Sequence, residues 1–467
     1  MEILYGDFRL TQNSAIPVSL AEATRTWARI AALSFGGPAG QIAVMHRILV
    51  DEKRWIGENR FLHALNYCML LPGPEAMQLA TYFGWLMHGV RGGLVAGGLF
   101  VLPGFISILA LSMLYAGFQE VALVEALFFG IKAAVLAVVF EALLRIGKRA
   151  MKTAPMYLIA FAAFIAIFAF NIPFPLIIAA AALTGFIGGR LDPARFVVIK
   201  GHDVSESEDS SGSEPLISAS GVAGVRPSLA RSIKTILIWG TLWMVPVIAL
   251  LLLAGRGDVF TELAIFFSKL AMVTFGGAYA VLAYMAQEAV ETHGWLAPGE
   301  MLDGLGMAET TPGPLVQVVQ FVGYMGGYRG AEGMGPVTAG VLASLLVTWV
   351  TFIPCFLWIF LGAPYVERLR GNVLLSAALS AITAAVVGVI LNLAIWFALH
   401  VLFADLDEVT GWGARLLVPE LASLDVAAAL IAVGALIAML RFHAGLLKVL
   451  AASAIVGMAW YMLMVAA

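Results

Sequence analysis

Runs of apolar residues close to twenty long recur from one end of this chain to the other, and few folds accommodate that pattern. A helix needs about 20 predominantly apolar residues to cross roughly 30 Å of hydrocarbon. Thirteen such segments can be centred near residues 35, 75, 105, 132, 163, 181, 245, 275, 313, 350, 388, 432 and 455. Composition agrees, with 61% of residues hydrophobic and 12% charged, against about a quarter charged in soluble domains. The expectation is an all-α polytopic membrane protein of about thirteen transmembrane segments. The start, MEILYGDFRLTQNSAIPVSLAEATR, has no basic stretch followed by an apolar core, so no cleavable signal peptide is expected. Cys68 and Cys355 both fall in apolar segments and are expected as small core residues.

The chain repeats itself. A shift of 240 positions places Phe35-Gly36-Gly37 on Phe275-Gly276-Gly277 and Pro72-Gly73-Pro74 on Pro312-Gly313-Pro314 with no gap between them. Ala43, Met45, Val50, Trp55, Leu62 and Leu65 also match their partners. Apolar bias alone would produce matched Ala and Leu, but not an aligned FGG, Trp and PGP. Domain organisation follows: a first repeat over 1–190, a polar Ser- and acid-rich linker over 191–232, a connecting transmembrane helix over 233–258, and a second repeat over 259–467. The linker cannot bury enough apolar surface to fold by itself.

Six spans in each half with one helix between them would set equivalent segments seven crossings apart, facing opposite ways, as in inverted-repeat transporters. Basic residues favour a cytoplasmic N-terminus and linker by the positive-inside rule, with one awkward cluster, Arg47, Lys53, Arg54 and Arg60, on the outer side. Re-entrant FGG or PGP hairpins are the alternative, and they would change that count.

Soluble-enzyme signatures are absent from the sequence: no GxxxxGK[ST] loop, HExxH, GxSxG or metal-spaced Cys/His cluster. No enzymatic activity, cofactor or metal is expected, and an ATP-driven pump is disfavoured, leaving gradient-driven transport or a channel. The informative features are the breaks. PGP removes two backbone donors and disfavours helix before each proline, and two glycines weaken a helix by about 1 kcal/mol each. A broken helix exposes a half-helix N-terminus, whose free amides and dipole attract anions. A simple kink is the bland alternative for one FGG; the duplicated FGG and PGP together favour a binding site.

Polar residues near the breaks extend this expectation. Arg29 and Lys269 occupy the same column of the repeat, each seven residues before the first glycine of its FGG. Ionisable residues within a span are functional candidates because burying them is costly, with snorkelling to the headgroups as the alternative. Ser34 and Thr274 place a hydroxyl directly before each FGG, and Gln78 and Gln317 follow each PGP. Glu75, Glu309 and Lys132 also lie within apolar segments and are candidates for ion coupling or for an ion pair. The candidate substrate cradle therefore comprises Arg29, Ser34, Phe35, Gly36, Gly37, Pro72, Gly73, Pro74 and Gln78, with Lys269, Thr274, Phe275, Gly276, Gly277, Pro312, Gly313, Pro314 and Gln317.

The stretches SFGGPAGQIAVMHRILVDEKRW and LLPGPEAMQLATYFGW, with TFGGAYAVLAYMAQEAVETHGWL and AETTPGPLVQVVQFVGYMGG, resemble the chromate ion transporter family in its long, two-domain form. That resemblance implies an inner-membrane exporter of chromate that confers chromate resistance, with sulfate as the structural mimic. Its partners would be the lipid bilayer and a chromate or sulfate-like oxyanion, with no nucleic acid and with homodimerisation open. A transporter or channel for sulfate or another anion is the alternative.

Overall fold

The computed structural model describes residues 18–119, 121–198, 228–275, 278–365, 372–411 and 413–466. Gly276, Gly277 and most of the expected linker lie outside the described residues.

Helices dominate, as the apolar runs require. The first half contains α1 (Leu20–Leu33), α2 (Gly37–His46), α3 (Glu58–Cys68), α4 (Glu75–Phe118), α5 (Ala122–Ala150), α6 (Ala154–Phe168), α7 (Phe174–Leu191) and a short α8 (Pro193–Phe196). A connecting helix, α9 (Leu229–Leu253), leads to the second half. There follow α10 (Val259–Val273), α11 (Ala278–Gln287), α12 (Pro298–Thr310), α13 (Val318–Gly330), α14 (Pro336–Gly362), α15 (Val373–Leu402), α16 (Val426–Leu440) and α17 (Leu446–Ala466). Even local irregularities are duplicated: α2 runs on into a π turn over Arg47–Glu52, and α11 into one over Glu288–Thr292.

Thirteen through-going spans are not seen among the described residues. Among the described residues seven helices are long and apolar enough to cross a membrane, and α6 and α16 are shorter apolar helices. The FGG and PGP segments instead fold back on themselves. Lys53, after the π turn, is 3.2 Å from Glu22 in the first turn of α1, and Arg29 is 2.8 Å from Glu52. The α1–α2 unit is therefore a hairpin with FGG at its tip. In the second half His293 lies 3.5 Å from Glu262, the same two columns of the repeat, so α10–α11 is the matching hairpin.

The PGP segments do the same. Arg329 at the end of α13 forms a two-pronged pair with Glu300 at the start of α12, at 2.7 and 2.6 Å. Helix α4 is two arms, because His88 and Gly89 leave helical geometry and turn the chain. A Cβ on Gly84 would stand 2.3 Å from the carbonyl oxygen of Gly92, so the arms pack backbone to backbone. The first arm of α4 thus matches α13, and the second matches α14.

The halves interdigitate. Helix α5 of the first half packs on α16 and α17 of the second, while α15 packs on α6 and α7. Small residues permit the approach, as is usual between membrane helices: a Cβ on Gly130 would meet the Ser453 carbonyl, and one on Gly388 the Ala160 carbonyl. The departure from all-α structure among the described residues is an antiparallel hairpin, β1 (Leu406–Gly411) with β2 (Ala414–Pro419). Its positive-φ Gly413 closes a tight turn, and Arg415 ties it to Glu291 at 3.0 Å. Cys68 and Cys355 are free and buried, as expected.

Candidate functional site

Each break follows from local chemistry. Gly36 and Gly37 both adopt positive φ, at 77° and 71°, a region that suits glycine. Gly37 ends this positive-φ pair and Pro38 then sits in the first turn of α2, where its missing amide costs no intrahelical bond. In the PGP turns Gly73 has φ 130° and Gly313 φ 110°, and Pro74 and Pro314 are the residues that cap the following helical turns.

These turns are joined crosswise between the halves. The Gly73 amide donates to the Thr274 carbonyl at 2.8 Å, and the Gly313 amide donates to the Ser34 carbonyl at 2.9 Å. The two bonds are the same bond under the 240-residue shift with the halves exchanged. Each PGP turn therefore docks on the residue that directly precedes FGG in the other half. Gln41, 1% exposed, adds a hydrogen bond from its side-chain amide to the Gly313 carbonyl.

This joint collects helix N-termini. The first turns of α2 and α4, and the 3-10 turn Leu315–Gln317 that opens α13, all begin at the tips. First-turn amides have no intrahelical acceptor, and the helix dipole adds positive potential there. Gln78 donates to the Pro72 carbonyl at 2.8 Å and Gln317 donates to Gln320 at 2.7 Å. Both side chains are almost fully buried, and in both the amide oxygen has no hydrogen-bond partner. Two buried amide oxygens without a donor, one shortly after each PGP, mark places where a donor such as water completes the site.

The remaining candidates are distributed as follows. Ser34 and Thr274 are buried at the joint, but each hydroxyl donates back to the carbonyl four residues earlier, at 2.7 and 2.6 Å. Phe35 and Phe275 are half-buried beside them. Arg29 and Lys269 are exposed on the flanks of α1 and α10, and the structure does not bring them to the tips; the Arg29 side chain is 51% exposed and held by Glu52. Glu75 is half-buried at the start of α4. Glu309 is buried at the second PGP and accepts a 2.6 Å hydrogen bond from the Tyr279 hydroxyl. That hydroxyl in turn lies 4.0 Å from where a Cβ on Gly37 would be.

Lys132 forms an ion pair with Asp303 at 3.2 Å, linking α5 to α12, and the same carboxylate oxygen accepts from the Tyr115 hydroxyl at 2.7 Å. Sequence inspection missed Asp303, Tyr279 and Gln41. Gln41 carried a usable signal, being a lone polar residue four positions after FGG in an apolar run. Asp303 did not, because it sits outside the apolar window that defines the segment.

Comparison with known proteins supplies the remaining link. A family model described as Chromate transporter matches residues 21–186 and again 261–458, so the two matched regions begin 240 residues apart. The chain is 31% identical to a chromate transport protein of Pseudomonas aeruginosa over 80% of each chain. It is 26% identical to a chromate transport protein of Cupriavidus metallidurans over 81% of this chain and 82% of that one. An uncharacterized transporter of Methanocaldococcus jannaschii is 24% identical over 80% and 83%. No solved structure matches. With the family model covering both repeats, this chain belongs to the chromate transporter family.

Proposed function

We propose that this protein is a secondary transporter that exports chromate, a tetrahedral oxyanion, across the inner membrane and so confers chromate resistance. The observation that carries the proposal is the crossed joint of Gly73 with Thr274 and Gly313 with Ser34. It gathers the free first-turn amides of α2 and α4 from one half and of the Leu315–Gln317 turn from the other. Such a cradle offers donors to several oxygens at once without burying a fixed counter-charge, and family membership supplies the substrate class. The membrane potential, negative inside, favours exit of a dianion by about 2.3 kcal/mol per charge per 100 mV.

The topology proposed with it is inverted. If the four tip hairpins enter and leave on one face, four crossings remain in each half, and α9 makes equivalent elements five crossings apart. That number is odd, so the halves oppose each other as before. Hairpin geometry also moves Arg47, Lys53, Arg54 and Arg60 to the face of the α1 start, where the positive-inside rule wants them. A cysteine replacing Asp192 should react only with reagent supplied from the cytoplasm, and one replacing Thr410 only from outside. Labelling of both from one side would break the inverted arrangement.

Flux in proteoliposomes under an imposed potential tests the function. Saturable chromate movement is expected, with sulfate as a competitor; sulfate flux alone would reassign the substrate to that anion. Arg29 and Lys269 enter the proposal as flanking charges. Arg29→Gln combined with Lys269→Gln should slow uptake about threefold, the size expected for screened surface charge. Complete loss would place both cations in the cradle itself.

A further inference from the structure

Helix α5 carries a line of cations along α12. This helix packs along α12 in the same chain direction: Lys132 faces Gly299 and Asp303, while Ile131 and Val135 stand 2.5 and 3.4 Å from where a Cβ on Gly306 would be. Helical steps of three and four residues continue that stripe through Val138 and Ala142 to Arg145 and Arg149. Val135, Val138 and Ala142 are buried, so the stripe is apolar where it lies on α12. It becomes cationic beyond Ala142, past the level at which α12 ends.

One further contact places the end of this stripe. An Arg149 guanidinium nitrogen is 3.9 Å from the Met69 sulfur, three residues before Pro72. Met69 is the repeat counterpart of Glu309, which is buried at the second PGP. Arg145 is 45% exposed and its ion pair with Glu141 is long, at 3.7 Å. The Arg149 guanidinium therefore lies beside the segment that leads into the first PGP tip, and Arg145, one turn earlier on the same stripe, keeps nearly half its side-chain surface open.

Resting on the exporter assignment above, we propose that Arg145 and Arg149 form an anion-recruiting site at the mouth of the tip cradle. It would take a doubly charged tetrahedral oxyanion from the face carrying the end of α5 and pass it to the tip amides. A planar guanidinium clamps two oxyanion oxygens at once, which an ammonium cannot do.

The test is chromate uptake by the full-length protein in proteoliposomes, measured against concentration at low and high ionic strength. Arg145→Gln with Arg149→Gln should raise KM about tenfold, leave Vmax within about twofold, and flatten the dependence on ionic strength. Arg145→Lys with Arg149→Lys should restore the ionic-strength dependence while KM stays about threefold high. Should the glutamine variant fail to accumulate, the lysine variant decides alone. A wild-type KM in either variant overturns the recruiting site while the exporter assignment stands. A wild-type protein with no saturable chromate flux brings down both.

Discussion

Gly313→Ala is expected to abolish chromate transport and to lower the stability of the purified protein by about 3 kcal/mol or more, from two causes that act together. An L-residue at φ 110° stores about 1–3 kcal/mol of backbone strain. Its Cβ would also stand 3.1 and 3.2 Å from the Cα and amide nitrogen of Gly104, which are backbone and cannot swing aside. Gly73→Ala carries the same strain, but its Cβ would meet Gln78 Nε2 at 2.7 Å and Cys355 Sγ at 2.8 Å, both side-chain atoms. The Gly73 variant should therefore fold better than the Gly313 variant while still losing transport, because Gln78 is displaced. Gly98→Ala is the control: nothing lies within 4 Å of the new methyl, and helix propensity predicts a small gain of up to about 1 kcal/mol. Thermal unfolding in detergent and uptake in proteoliposomes measure the two effects separately. Wild-type uptake by Gly313→Ala would remove the PGP turn from the site.

Lys132→Met should destabilise the protein by about 3 kcal/mol, since it leaves the Asp303 carboxylate buried without its cation. The lower end of the usual range applies because the Lys132 side chain is 31% exposed and water already screens it. The remaining Tyr115 hydrogen bond cannot neutralise the charge. Adding Asp303→Asn to Lys132→Met removes the charge itself and should recover most of the loss. A double variant no more stable than Lys132→Met would show that the pair acts through packing rather than through charge. Because this pair ties α5 of the first half to α12 of the second, both variants also report on how firmly the repeats are joined.

The duplication, the positions of the four breaks and the membrane class were all legible in the sequence. Those features depend on local chemistry: a pair of glycines at Gly36 and Gly37 permits two consecutive left-handed residues, and Pro-Gly-Pro at residues 72–74 cannot continue a helix. Apolar length settled the class because no soluble fold hides so many runs. The count of spans was not legible. Two half-helices folded tip to tail are as apolar as one helix that crosses, and hydropathy does not record which way the chain leaves a break.

Direction at each break is decided by contacts between residues far apart in the chain. Lys53 returns to Glu22, and Arg329 to Glu300. The cations followed the same logic. Position in an apolar run singled out Arg29 and Lys269, but the face each occupies depends on what packs against α1 and α10, and both face outward. Arg145 and Arg149 read as ordinary loop charges until α12 is laid along α5. What the sequence by itself determined is where this protein's helices must stop, because glycine and proline act on their own residues and immediate neighbours. Only the tertiary structure decided which stops meet, because the bond from Gly73 to Thr274 and the bond from Gly313 to Ser34 each span the two halves.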